Sequence, residues 1–399
     1  MSRPRVITRT VWVLSLISLC TDTASEMLYP VLPLYLKEIG FGVLLIGVLE
    51  GVAEATAGLS KGYFGMRSDR LGRRAPFVQW GYALSAISKP MMAVMVAPLW
   101  IFFARTLDRL GKGIRTGARD ALLNDEATPE TKGRVFGFHR SMDTLGAVIG
   151  PSLALLYLWW RPGDYVPLFF IAFGPGVVAV LLSLLLKEST HTVKAPAKPF
   201  YFFAFLRYWK VSPMAYRRLT TGLLLFALFN SSDVFLLLGA RNAGLSDTGT
   251  IGVYIGYNLV YALFAFPLGA LADRIGLKRV FLLGLLLFAA VYFGMAAGQG
   301  LAVIAALFVV YGLYAAATEG IAKAWIGSIV PRTETATAIG TYAGLQSIAA
   351  LFASAFAGWL WFAFGPAVTF LVTGTVAVAV LVYLLVTVTD PIDARPAQV

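Results

Sequence analysis

Asp22 and Glu26 stand four residues apart in an otherwise apolar stretch, and Glu50 and Glu54 repeat the spacing in the next one. Residues four apart share one helix face, so each pair presents two carboxyls to the same neighbour. Arg105, Asp108, Arg109 and Lys112 crowd a further apolar stretch, and Arg140 and Asp143 another. Asn230, Asp233, Glu319 and Lys323 are the main polar groups of the later ones. A carboxyl removed from water can gain or lose a proton near neutral pH. Charged groups within apolar segments are costly and mark functional sites by default. The alternative is that acids and bases on adjacent helices simply neutralise one another, Glu319 with Lys323 among them. No metal or disulfide chemistry is expected, because the sequence has one cysteine, Cys20, and two histidines, His139 and His191. Met91 and Met95 are read as packing groups and not as metal ligands.

The elements that must hold these groups follow from composition. Of 399 residues, 58% are hydrophobic and 14% charged, with mean hydropathy +0.74. A soluble domain carries about 25% charged residues, so the apolar excess must face lipid. Crossing the hydrocarbon takes about 20 apolar residues. Reading apolar stretches between turn signals predicts twelve helices, at 10–37, 42–66, 75–96, 98–121, 134–159, 164–187, 217–240, 248–271, 279–297, 301–329, 335–362 and 366–388. Val11–Leu19 runs into Asp22 and Glu26 without a small-residue cleavage site and is read as a mature span, not a signal peptide. At 1.5 Å per residue, Asp22 and Glu26 fall roughly 18–24 Å from the start of the first span, in its middle to outer part.

The net charge of +12 is placed for membrane orientation, which argues against a nucleic-acid partner. Arg3, Arg5 and Arg9 precede the first span, and Arg67, Arg70, Arg73 and Arg74 lie in the loop after the second. Arg274, Lys278 and Arg279 follow the eighth span, and Lys194, Lys198, Arg207, Lys210, Arg217 and Arg218 sit in the central connection. The opposite side offers little beyond Lys37, Arg161 and Arg241. Both termini and the central loop are therefore expected in the cytoplasm. Arg115, Arg119 and Asp120 are expected at the cytoplasmic interface as structural charges. An internal repeat divides the chain. Gly65-Met-Arg-Ser-Asp69-Arg70-Leu-Gly72-Arg73-Arg74 is echoed by Gly269-Ala-Leu-Ala-Asp273-Arg274-Ile-Gly276, the two aspartates 204 positions apart. Nearly the same shift brings Gly137 onto Gly340. A repeat of half the chain length indicates a duplicated six-helix unit. The expected organisation is an N-terminal half at 1–187, a linker loop at 188–216 and a C-terminal half at 217–399.

Along its whole length the sequence resembles the major facilitator superfamily. The G-x-x-x-D-R-x-G-R-R pattern at Gly65–Arg74 is the strongest element, and its physics is legible. Gly65 allows close helix approach, Gly72 a tight turn, and Asp69 accepts bonds from free amides at a helix start. Arg109-x-x-x-Gly113 resembles the superfamily's R-x-x-Q-G pattern, with Lys112 where the family has Gln. Gly137, Gly146, Gly150 and Pro151 resemble the glycine–proline motif of its drug–proton antiporters, though Ala154 and Leu155 replace that pattern's closing glycines. Asp22 with Tyr29-Pro30-Val-Leu-Pro33 loosely resembles the first span of the same antiporters.

The resemblance implies an all-helical, twelve-span carrier of two pseudo-symmetric halves, working as a monomer by alternating access in the inner or plasma membrane. It implies a small-molecule substrate with protons as the coupling partner, no cofactor and no enzyme activity. Export of a small organic compound is the first expectation, and proton symport of an anionic solute the second. Asp22 is the leading proton site, with Glu26 beside it and Arg109 acting on both. Tyr29, Trp80, Phe138, Tyr254, Tyr257 and Trp325 either line a cavity or pack and face lipid. Asp69 is expected to cap the eleventh span near Thr335–Thr337, and Asp273 the fifth near Lys132–Arg134. Arg73 is expected to bridge to Asp120. The two loops, including Arg70, Arg74, Gly269, Arg274 and Gly276, would act as cytoplasmic gates.

Overall fold

Hydrocarbon offers no water to bond exposed amides, so a chain this apolar satisfies its backbone within helices. The computed structural model describes residues 6–187, 201–230, 233–298 and 300–388, and no strand occurs among them. Arg3, Arg5, Lys194, Lys198 and His191 lie outside the described residues. In chain order the helices are α1 (Arg9–Leu28), α2 (Leu32–Glu38), α3 (Val43–Leu71), α4 (Ala75–Val94) and α5 (Pro98–Glu126). Then come α6 (Lys132–Trp160), α7 (Val166–Ser183), α8 (Tyr208–Val211), α9 (Met214–Ala227) and α10 (Val234–Asn242). The last are α11 (Asp247–Ile275), α12 (Leu277–Ala296), α13 (Leu301–Ile329), α14 (Thr335–Phe364) and α15 (Pro366–Thr387). Eight stretches are long and apolar enough to cross a membrane: α1 with α2, α6, α7, Gly252–Ile275 of α11, α12, α13, Arg332–Phe364 and α15.

Two predicted spans are interrupted. The stretch 10–37 breaks between α1 and α2 at Tyr29–Val31, because Pro30 has no amide to donate and its ring obstructs the preceding turn. The stretch 217–240 breaks between α9 and α10 just before Asp233. The two repeat loops end alike. α3 stops at Gly72 with φ +62°, and α11 stops at Gly276 with φ +109°, conformations that favour glycine. In the central connection Phe202–Arg207 forms a 3₁₀ turn rather than open loop. Phe205 is buried there against Gly62 of α3, where any side chain would collide with its ring.

Packing divides the chain into two compact units. The first comprises Met1–Glu126, Met142–Lys210 and Pro331–Gly344. The second comprises Ala127–Ser141, Val211–Val330 and Leu345–Val399. The first turns of α6 thus belong to the second unit, and the first turns of α14 to the first. Glycines make both attachments. In the first unit Gly65 of α3 lies against Ala336 and Gly340 of α14. In the second, Gly133 and Gly137 of α6 lie against Gly269 and Ala265 of α11. With only glycine and alanine at these contacts, the backbones approach closely enough for dispersion to operate between them.

A methyl group at Gly269 would overlap the Gly133 carbonyl, and overpacking of this kind costs about 1–3 kcal/mol. Gly269→Ala should therefore lower the unfolding temperature in detergent by several degrees. Gly174→Ala in α7 meets open space and should leave it unchanged. Equal midpoints for the two variants would remove the close-approach role of Gly269.

Candidate functional site

Within the first unit, α5 is the hub of a buried charge network. Arg105 makes a two-pronged bond to Glu50 of α3, with Nε and Nη2 each 2.8 Å from a carboxylate oxygen. Its other nitrogen lies 3.4 Å from Asp108. Asp108 in turn faces Lys89 of α4 at 3.5 Å. Arg109 lies 3.2 Å from Glu54 and 3.9 Å from Glu50, so its charge is committed to the α3 acids rather than to Asp22. Planar guanidinium forks suit such two-carboxylate sites, and in low dielectric each cation needs its acid. Lys112 is exposed and has no ion pair among the described residues.

A second branch of the network joins α5 to α1 and α6. Arg119 lies 2.9 Å from Asp120, 3.3 Å from the Ser18 hydroxyl and 3.9 Å from Asp143. Ser18 donates to Asp143 at 2.6 Å. Asp22, the acid one turn beyond Ser18, lies beside Asp143 where α1 meets α6. Gly146 brings the helices together at that level. A Cβ on it would sit 2.6 Å from the Leu19 carbonyl and 3.0 Å from the Asp22 Cβ. Gly150 repeats the contact one turn on, against Thr23, Met27 and Glu26, and Pro151 follows it inside α6. Glu26 makes no ion pair among the described residues, and Lys112 and Arg109 of α5 are the bases that act on it through space. Arg115, Arg119 and Asp120, expected at an aqueous interface, are instead buried in the unit. Arg115 donates to Ser85 at 2.6 Å and lies over the Tyr82 ring.

Arg140 and Asp143 are one turn apart on α6 yet belong to different units. Arg140 lies in the second, ion-paired with Glu319 of α13 and donating to the Tyr261 hydroxyl at 2.6 Å. The expected neutralisation of Glu319 by Lys323, one turn along α13, gives way to this partner from another helix. Near the α9–α10 break, Asp233 accepts hydroxyl bonds from Tyr257 and, at 2.6 Å, from Tyr311. Asn230 donates to Tyr314 at 3.0 Å. Among the named aromatics, Tyr29 and Trp80 are exposed, and Trp325 is packed in the core.

The loop aspartates accept bonds at helix starts, within one unit each. Asp69 accepts from the Thr337 amide at 2.7 Å and its hydroxyl at 2.8 Å. Asp273 accepts from the amides of Gly133 at 2.6 Å and Arg134 at 3.0 Å. Burial outweighs the Arg74 guanidinium and the Thr337 donors and holds the Asp69 carboxyl at about 6, above the ordinary carboxylate range. The buried Asp69 therefore takes up a proton as pH falls through about 6, before a water-exposed one would, and acidification favours the buried form. The bridging arginine is Arg74 and not Arg73. The left-handed turn at Gly72 leaves Arg73 exposed and drives Arg74 inward, to Asp69 at 3.3 Å, Asp125 and the Arg332 carbonyl at 2.7 Å. Asp120, the partner expected for Arg73, is held by Arg119. Arg70 and Arg274 close α3 and α11 as basic last-turn residues.

The sequence matches the Major Facilitator Superfamily over residues 14–256 and again over 234–399. The chain belongs to that superfamily. It is accordingly a membrane transporter and not an enzyme. An uncharacterized transporter of this type from Methanocaldococcus jannaschii is 30% identical over 380 residues, covering 94% of each chain. The class G tetracycline resistance protein of Vibrio anguillarum is 26% identical over 65% of this chain and 67% of its own. The solved structure of the human organic anion transporter MFSD10 (TETRAN) superposes with a TM-score of 0.77 at 18% identity. It covers 96% of this chain and 100% of that one, a likeness of fold.

Sequence reasoning overlooked several members of this transporter's networks, Lys89, Ser18, Asp125 and Tyr311 among them. Lys89 carried the usual signal, a lysine inside an apolar span, but stood apart from the acidic pairs. Ser18 and Tyr311 carried none, since a serine or tyrosine in an apolar helix is ordinary. The bridge at Arg74 is open to a simple check. Removing the side chain leaves Asp69 and Asp125 buried without their guanidinium, a change that costs about 3–5 kcal/mol. Arg74→Ala should therefore lower the unfolding temperature of the purified transporter strongly. Arg73→Ala, at an exposed position, should stay within about 0.5 kcal/mol of wild type. Reversed rankings would restore Arg73 as the bridge.

Proposed function

We propose that this transporter couples protons to the export of a small organic compound by alternating access across the inner or plasma membrane. It has twelve spans when α1 with α2, and α9 with α10, each count as one interrupted crossing. Two pseudo-symmetric halves, 1–187 and 217–399, are joined by the cytoplasmic connection 188–216, with both termini in the cytoplasm. The loops at Asp69 and Asp273 serve as cytoplasmic latches, because each carboxylate satisfies amides that a freed helix start would expose.

The observation that carries the proton reading is the close approach of α1 and α6 at Gly146, which sets Asp22 beside Asp143. Two carboxyl groups side by side in low dielectric repel each other when both are ionised, and a proton on one removes that repulsion. Ser18 and Arg119 hold Asp143 from the other side, so loss of that proton places an extra negative charge beside an arginine already shared with Asp120. Proton occupancy and the packing of α1, α5 and α6 are then one equilibrium. Kinship with a tetracycline resistance protein supports export. The second reading, symport of an anionic solute, is favoured by Lys112, exposed and without an ion pair among the described residues.

The test uses purified transporter in proteoliposomes, with tetracycline accumulation driven by an imposed pH gradient. Asp22→Asn and Asp143→Asn should each reduce gradient-driven accumulation at least tenfold, while exchange of labelled for unlabelled compound without a gradient persists. Undiminished accumulation in both variants would sink the proton assignment. Accumulation of an anionic solute in the direction of proton flow would replace export by symport.

A further inference from the structure

The second unit holds a carboxylate whose surroundings differ from those of the ion-paired acids in the first. Asp233 stands at the start of α10, beside the break that ends α9. It lies inside a span yet has no ion pair among the described residues, whereas Glu50, Glu54, Asp108 and Asp120 each lie beside a base. Glu319, the other acid acting on it, is already held by Arg140. Asp233 is supported instead by two neutral donors, the hydroxyls of Tyr257 on α11 and Tyr311 on α13. Those rings meet edge to face, with centroids 5.3 Å apart. Tyr254, one turn before Tyr257, extends the set edge-on at 5.4 Å and is half-buried, as Asp233 is.

A carboxylate in low dielectric demands a counter-charge, and hydroxyls lower that demand without meeting it. When the protein supplies no base, the counter-charge comes from outside. A metal ion would want several oxygen ligands, and no metal-holding cluster occurs among the described residues. Aromatic faces beside an acid suit a different guest. Their quadrupoles attract a diffuse positive charge, and their surfaces shed water from an apolar substituent.

We infer that Asp233, set among Tyr254, Tyr257 and Tyr311, is the binding carboxylate for a lipophilic organic cation, the class of compound this transporter moves. The hydroxyls of Tyr257 and Tyr311 position the carboxylate, and the ring of Tyr254 faces the guest. The inference narrows the export reading to cations and assigns the substrate charge to a residue distant in sequence from the proton pair.

The experiment measures equilibrium binding to the full-length transporter purified in detergent, without a gradient. The probes are tetraphenylphosphonium and its isosteric anion tetraphenylborate, each corrected for empty micelles. Wild type should bind the cation and not the anion. Asp233→Asn should weaken cation binding at least tenfold, and Tyr254→Leu several-fold. Asp22→Asn should still bind the cation. Should Asp233→Asn prove unstable, the charge selectivity of wild type and the Tyr254→Leu affinity still decide the matter. Equal binding of both probes, absence of cation binding, or full affinity in Asp233→Asn would overturn the assignment. Because no proton gradient enters the measurement, that failure leaves the Asp22–Asp143 reading standing. Loss of that reading in transport assays leaves the cation site untouched.

Discussion

Charge in a low-dielectric interior must be answered by charge or by a donor, and this constraint organises the transporter more than any single packing contact. α5 alone places Arg105, Asp108, Arg109, Arg115, Arg119 and Asp120 along one buried helix. Arg119 pairs with Asp120 and Arg105 with Asp108 on the same helix, and the neighbouring helices supply further partners. Glu50 and Glu54 on α3, Lys89 on α4 and Asp143 on α6 are those partners. The first unit is in this sense assembled around an electrostatic ledger that nearly cancels. A near-cancelling network also responds to a single proton, because adding or removing one changes which neighbours remain satisfied.

The same constraint explains the glycines. Acids and bases neutralise one another only at contact distance, and helices with ordinary side chains keep their axes 8–10 Å apart. Gly146 and Gly150 let α6 settle onto α1, which puts Asp143 beside Ser18 and Asp22. Gly65 and Gly340 do the same for α3 and α14, where Asp69 reaches Thr337. Gly133 and Gly269 bring Asp273 to the start of α6. Small residues and buried carboxylates are two parts of one device, and each would be destabilising without the other.

The two units use this device differently. In the first, most acids are matched by bases, so the net electrostatic demand is small and a proton is the natural variable. In the second, charges are few, aromatic rings are dense, and Asp233 is satisfied by hydroxyls alone. An acid in such a setting keeps an unfilled demand for positive charge. Stable networks suit a part that must survive rearrangement, and an unfilled demand suits a part that must bind and release.

The sequence by itself determined the membrane class, the helical architecture and the duplicated loops. Each of these depends on local pattern: apolar length, glycine at a turn, and an aspartate ahead of basic residues. It likewise exposed most of the charged members of the networks, because any charge inside an apolar span is conspicuous. Pairing was another matter. Residue spacing along one helix suggested Glu319 with Lys323, and the order of the loop residues suggested Arg73 with Asp120, whereas the structure joins Glu319 to Arg140 and Asp69 to Arg74. The outcome turns on helix rotation and on the left-handed turn at Gly72, which the linear pattern does not encode. The division of α6 between two units, with Arg140 in one and Asp143 in the other, is of the same kind. A helix carries no local mark of which neighbour each of its turns will meet. Only the packed structure decides that, since the energy of a buried charge is a property of its surroundings and not of its place in the chain.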